Sequence, residues 1–207
     1  MKKIILLLII VTANLSEVMC QKLGGGLLLG LNLSSMSLPD NDSIRLRPDV
    51  TAGIRMALIP QKSIFGLELD VIYSRQGTNM KSITTNDKQK ISYSKSTSYL
   101  QMPLMLNIYL KRWNNDDDES KLMRFRVGPQ IGLCLGGRDI ENVKTKKNTK
   151  HIFRHWEPSE FNRWDYGIVA AFSVWYLEIR YYHGLNNVLT SGNSRHNVIS
   201  IVWSDIW

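Results

Sequence analysis

Apolar and polar residues alternate along most of the chain, most clearly from Tyr99 to Gly137. In YLQMPLMLNIYL, Leu100, Met102, Leu104, Leu106, Ile108 and Leu110 fall on one face, and Tyr99, Gln101, Asn107 and Tyr109 on the other. In LMRFRVGPQIGLCLGG, Met123, Phe125, Val127, Ile131, Leu133 and Leu135 alternate with Arg124, Arg126, Gly128, Gln130, Gly132, Cys134 and Gly136. A period of two is that of a strand, and an amphipathic helix cannot produce it. Both segments exceed the five or six residues usual in soluble strands and have the length a tilted strand needs to cross a bilayer.

The same alternation predicts six more strands. They start from Leu27–Ser34, Val50–Leu58, Phe65–Ser74, Trp164–Phe172, Leu177–Tyr182 and Ile199–Trp203, the last continuing toward Trp207. Loops are predicted over Ser35–Arg47, Gln76–Thr97, Arg138–Arg163 and Gly184–His196, and shorter turns at Pro60–Ser63, around Asp116–Glu119 and at Val174–Tyr176. Long and short connections therefore alternate, as in membrane barrels with extended outer loops and tight inner turns. No position on the predicted outward face is charged from Leu27 to Trp203. Lipid explains this, since Arg or Lys at the bilayer midplane costs roughly 2 to 4 kcal/mol. The expected fold is all-β, an eight-stranded antiparallel up-and-down transmembrane β-barrel.

The charges gather on the other face: Arg55, Arg124, Arg126 and Arg180 against Glu68, Asp70, Asp165 and Glu178. Eight strands enclose an interior just wide enough to be filled by side chains. These eight residues are the candidate site, a lumen charge network that a packed bore tolerates if every member is paired, since an orphaned buried charge costs several kcal/mol. Gly30, Gly53, Gly66, Gly128, Gly132 and Gly167 share that face and are expected to make room for the long side chains. Tyr73, Trp164, Tyr166, Tyr181, Trp203 and Trp207 fit interfacial girdles and equally fit ordinary strand propensity.

Lys2 and Lys3, the apolar run Ile4–Val11 and a polar stretch up to Cys20 read as a cleaved signal peptide over 1–20, leaving a single domain over 21–207. Glu17 and Met19 do not suit a lipid-modified Cys20. Cleavage lowers the formal charge from +8 to +7 and leaves Cys134 as the only cysteine, so no intramolecular disulfide forms. No apolar run is long enough for a transmembrane helix. The cations are scattered and no nucleic-acid motif is present, which points to lipid and lipopolysaccharide as surroundings and away from nucleic acid.

Candidate chemistry is sparse, and neither enzyme activity nor a cofactor is expected. His151 and His155 lie in the basic stretch KTKKNTKHIFRH without carboxylates or Cys to complete a metal site, and Asp116–Glu119 lacks the spacing of a calcium loop. No motif joins His183 to Ser191 or Ser194 as a catalytic pair. Cys134, with no His close in sequence, reads as a small buried filler.

Several short motifs occur in order: Gly66-x-Glu68 with Tyr73 and Gly77, Tyr99-Leu100-x-x-Pro103, Arg126-x-Gly128-Pro129, Asp165-Tyr166-Gly167 and Arg180-Tyr181-x-x-Gly184-Leu185-Asn186. Together they resemble the PorT-like outer-membrane β-barrel proteins. The resemblance implies an outer-membrane location in a Gram-negative bacterium and a link to protein secretion, with secretion-system proteins as partners. The chain end at Trp207 is similar to the aromatic-terminated signal read by the outer-membrane assembly machinery. The expected role is a structural or interaction barrel with a filled lumen; the alternatives are a small porin-like channel and a secreted lipocalin-like binding barrel.

Overall fold

The computed structural model describes residues 21–36, 44–60, 64–80, 83–84, 90–111, 123–144, 149–157, 159–190 and 194–206. The expected signal peptide, the acidic turn at Asp116–Glu119 and the terminal Trp207 lie outside them. The strands are β1 (Gln21–Met36), β2 (Ile44–Arg45), β3 (Arg47–Pro60), β4 (Phe65–Met80), β5 (Ile83–Thr84), β6 (Lys90–Lys111), β7 (Met123–Lys144), β8 (Thr149–His155), β9 (Trp164–Val174), β10 (Leu177–Gly184) and β11 (His196–Ile206). Among them β1, β3, β4, β6, β7, β9, β10 and β11 form a closed antiparallel ring, sealed by the pairings β1–β11 and β4–β6. Closure leaves the ring without a free edge, which is one of the two ways a backbone can satisfy its hydrogen bonds in lipid.

The alternation sorts the faces as expected. Leu27, Leu29, Leu31 and Leu33 are exposed on β1, while Leu28, Asn32 and Ser34 are buried. On β6 Leu104 and Leu106 point outward and Gln101, Met105 and Asn107 inward; on β7 Phe125 and Ile131 point outward and Arg124, Arg126 and Gln130 inward. Tyr73, Trp164 and Tyr166 are exposed toward the end of the long connections, and Trp175, Tyr176 and Trp203 toward the end of the short turns. Tyr176 and Trp203 stack with centroids 6.4 Å apart. The long-connection end is the exterior side.

Several strands run further than expected. β6 and β7 are each 22 residues long, about 70 Å at 3.3 Å per residue and roughly twice what a bilayer crossing requires. The stretches 76–97 and 138–163, expected as loops, are largely strand: Lys90–Ser98 pairs with Gly136–Lys144, which in turn pairs with β8 through Arg138↔His155 to Lys144↔Thr149. The alternation of Ser, Tyr, Lys and Thr in β6 suits a wetted two-faced sheet as well as a membrane strand suits Leu, so hydropathy ends at the membrane while the backbone ladder continues.

A bulge marks that transition. Ser98 pairs with Gly136 but Tyr99 with Cys134, so Leu135 is an extra residue on β7. Gly136 adopts φ 155°, a backbone region disfavoured for residues with a side chain. The insertion inverts the face rule. Gly132 and Cys134 face the lumen below it; above it Gly137 takes that side, under the Trp156 ring, and Arg138 turns outward over the Phe153 ring.

Candidate functional site

The lumen is built in tiers. In the half nearer the short turns, three guanidinium groups and three carboxylates form one alternating network. Arg55 of β3 donates from Nε and Nη2 to the Asp70 carboxylate of β4 at 2.9 and 3.1 Å, and from Nη2 to Glu178 of β10 at 2.9 Å. Its Nε also lies 2.9 Å from Glu68. Arg126 of β7 bridges Glu68 and Glu178, and Arg180 of β10 bridges Asp70 at 2.7 Å and Glu178 at 2.8 Å. Asn107 Nδ2 donates to Glu68 at 3.3 Å, and Arg55 Nη1 to the Ser204 hydroxyl at 3.1 Å. β4 and β10 stand on opposite walls of the ring, so the network crosses the whole bore. Every carboxylate in it touches at least two guanidinium groups, the arrangement that offsets the cost of taking ions out of water.

Two of the eight sequence candidates stand elsewhere. Asp165 pairs in register with Gly132, six residues along β7 from Arg126, which places it about 20 Å further toward the exterior. It lies close to Gly184 and Tyr182, and no guanidinium contacts it among the described residues. Arg124 lies beside Tyr109 and Ser173, one inward step nearer the short-turn mouth than Arg126. Alternation specifies which face a residue takes but not its height, and height separates these two from the network.

Above the network the lumen is more apolar than the sequence suggested. Leu28, Ile72 and Val202 form one cluster and Met105, Val169, Tyr182 and Val198 another. The space opened by Gly30, Gly53 and Gly167 is taken by Val202, Ile72 and Tyr182 rather than by charged side chains. Asn32 ties the walls together, donating to the Ser74 hydroxyl at 2.8 Å and accepting from Ser200 at 2.7 Å. A cavity of about 20 Å³ between these layers, lined by Gln101, Gln130, Ser74 and Ser200 among others, has room for about one water.

The exterior mouth is closed by residues that the alternation did not single out. Trp156, Phe161 and Val188, from the connections that follow β8 and β10, pack with Met36, Tyr99 and Cys134 in a buried cluster, with Leu189 against it. Backbone bonds hold this cap in place: Trp156 N–H to Gly137 C=O at 2.9 Å and Asn162 N–H to Val188 C=O at 2.8 Å. Trp156 Nε1 donates to Asp139 at 2.8 Å, and Lys95 lies 5.3 Å from the Trp156 ring centroid and 3.0 Å from Asp139. Beside the cap, the Glu157 N–H and then Arg154 hold the Glu160 carboxyl below its ordinary value, while Glu160 in turn raises Arg154. The signals in sequence were Gly136-Gly137 inside an alternating run, which reads as a bulge or a close approach, and a Trp and a Phe inside a polar loop.

Cys134 is buried in that cluster, and burial pushes hydroxyl and thiol groups there toward structural rather than reactive roles. His151 and His155 both stand on β8, where four residues span about 13 Å, too far to share one ion.

The outer membrane protein beta-barrel domain family matches residues 16–190. The attachment invasion locus protein Ail of Yersinia pestis is a similar solved structure, with 6% identity, 89% of this chain and 98% of that chain covered, and a TM-score of 0.42. The same protein in complex with the heparin analogue sucrose octasulfate gives 6% identity, 90% and 99% coverage and a TM-score of 0.39. No curated protein matches the chain.

Proposed function

The chain belongs to the outer membrane protein beta-barrel domain family, and from that premise we propose that it works as a closed, non-conducting barrel holding an interaction surface outside the membrane. The observation that carries this reading is the network of Arg55, Arg126, Arg180, Glu68, Asp70 and Glu178 crossing between opposite walls. A pore needs a continuous water path. Here the bore holds paired ions, then apolar layers, then the cap of Trp156 and Phe161. A lipocalin-like binder would need an apolar interior with a charged exterior, and the exposed strand faces carry Leu, Ile and aromatic residues instead. The working surface in this reading is the part of β6, β7 and β8 that stands beyond the bulge. The resemblance to PorT-like barrels supports an accessory role in secretion for that surface, and crosslinking in intact cells identifies the partner.

The test is electrical. Purified protein in planar bilayers is expected to show no steady open state. Reproducible single-channel current from the unmodified chain would overturn the proposal in favour of a small porin-like channel.

A further inference from the structure

Where β7 changes neighbour, from β9 below to β8 above, a recess of about 690 Å³ runs over Gly136 and Gly137, with Cys134, Trp156 and Phe161 of the cap on one side and Tyr73 and Leu135 of the outer wall on the other. Three arginines from three different segments line it: Arg75 on β4, Arg138 on β7 and Arg163 just before β9, together with His155, Ser96 and Ser98. No Asp or Glu is among its lining residues. Arg75 is 3.8 Å from Asp49, and among the described residues neither Arg138 nor Arg163 has a carboxylate partner. Arg138 is instead held over the Phe153 ring, 5.8 Å from its centroid.

The height of the recess identifies its occupant. Arg75 follows Tyr73 by one outward step, Arg163 directly precedes Trp164, and Arg138 follows Leu135 through the bulge; Tyr73, Trp164 and Leu135 are all exposed members of the apolar belt. The cations therefore begin where the lipid-facing surface ends on the exterior side. Resting on the outer-membrane reading above, we propose that this recess binds the phosphorylated headgroup of an outer-leaflet glycolipid, with the acyl chains lying along the belt. Guanidinium groups suit phosphate because their fork matches two oxygens at once, and basic clusters at a membrane surface recognise anionic headgroups. Phe153, exposed beside Arg138, gives the sugar an apolar surface to lie against. The bulge is what makes the site: without Leu135 as an extra residue, Arg138 would face the opposite side.

The test uses the mature chain folded in zwitterionic micelles with diphosphorylated lipid A as the probe and the same lipid dephosphorylated as the comparison. Bound lipid per barrel is read by native mass spectrometry. The double variant Arg138→Gln, Arg163→Gln is expected to bind the diphosphorylated lipid about 25-fold more weakly, about a factor of 5 for each surface cation. The dephosphorylated lipid should bind the unmodified chain as weakly as the variant binds the intact lipid. Ser98→Glu, which sets a carboxylate in the recess and leaves every arginine in place, should also weaken binding and carries the same expectation if the double variant does not fold. Equal retention by the unmodified chain and the folded variants overturns the proposal, as does equal retention of the dephosphorylated lipid. Displacement of the lipid by millimolar inorganic phosphate would assign a free-anion site and overturn it too. Folding is read separately from the shift between unboiled and boiled protein on a denaturing gel. A normal shift with unchanged lipid binding removes the headgroup site alone, whereas no shift in the unmodified chain removes the barrel reading beneath it.

Discussion

Among the described residues, Arg55 is the one cation of the lumen that contacts all three carboxylates of the network. Replacing it by Met leaves Glu68, Asp70 and Glu178 to share Arg126 and Arg180. One buried negative charge is then uncompensated, and breaking a buried ion pair from one side costs about 3 to 5 kcal/mol. The second change, Asp70→Asn, removes that excess. The remaining charges are Arg126 and Arg180 against Glu68 and Glu178, still joined through Arg126–Glu68, Arg126–Glu178 and Arg180–Glu178. The amide that Asp70→Asn introduces keeps an oxygen that can accept from Arg180. The double variant is therefore expected to be more stable than Arg55→Met alone by at least about 1 kcal/mol, and because Asp70→Asn alone also costs stability the coupling between the two sites exceeds that difference. Reversible urea unfolding in lipid vesicles, followed by the fraction of protein that still migrates as folded on an unboiled gel, gives all four free energies of the cycle. If the two single costs simply add, the six charges do not act as one network and do not plug the lumen together.

Two other perturbations address the wall and the cap. Leu104→Arg and Ile131→Arg place a cation on the lipid face of β6 and β7 and should each cost about 2 to 4 kcal/mol of folding into bilayers; costs as small as those of Ser94→Arg, beyond the belt, would contradict the face assignment. At Gly137 an added methyl would sit 2.0 Å from the Trp156 ring, so Gly137→Ala should displace the cap and let a maleimide reach Cys134 in the folded barrel of residues 21–207. Unchanged protection of the thiol would mean that Trp156 does not close the mouth.

The sequence made the wall legible because lipid on one side and a packed bore on the other enforce the same alternation at every strand, from Leu27 to Trp203. It also placed Arg55, Glu68, Asp70, Arg126, Glu178 and Arg180 on the inward face, where the structure joins them. It could not resolve their heights. Register between strands is set by the full set of pairings, and only these show that Asp165 lies far above Arg126 while Arg124 lies below it. The strand extensions were hidden for another reason. Beyond the belt, residues such as Ser92, Ser94 and Lys95 alternate without any apolar contrast, so a paired strand and a solvated loop read alike. The cap depends on contacts between Trp156, Phe161 and Val188 that no local pattern contains.

The bulge at Leu135 and Gly136 works as a one-letter insertion in a text read two letters at a time. Below it, odd-numbered residues of β7 meet lipid; above it, even-numbered ones face out. Membrane wall and exterior sheet are thus written in different frames on the same strand. Drift in the sequence above the junction leaves the lipid face untouched, and drift below it leaves the exterior face untouched. Losing the single inserted residue would exchange Arg138 with Asp139 and Ile140 with Glu141 across the sheet, so one backbone irregularity keeps the two surfaces separable in inheritance while they share one continuous rod.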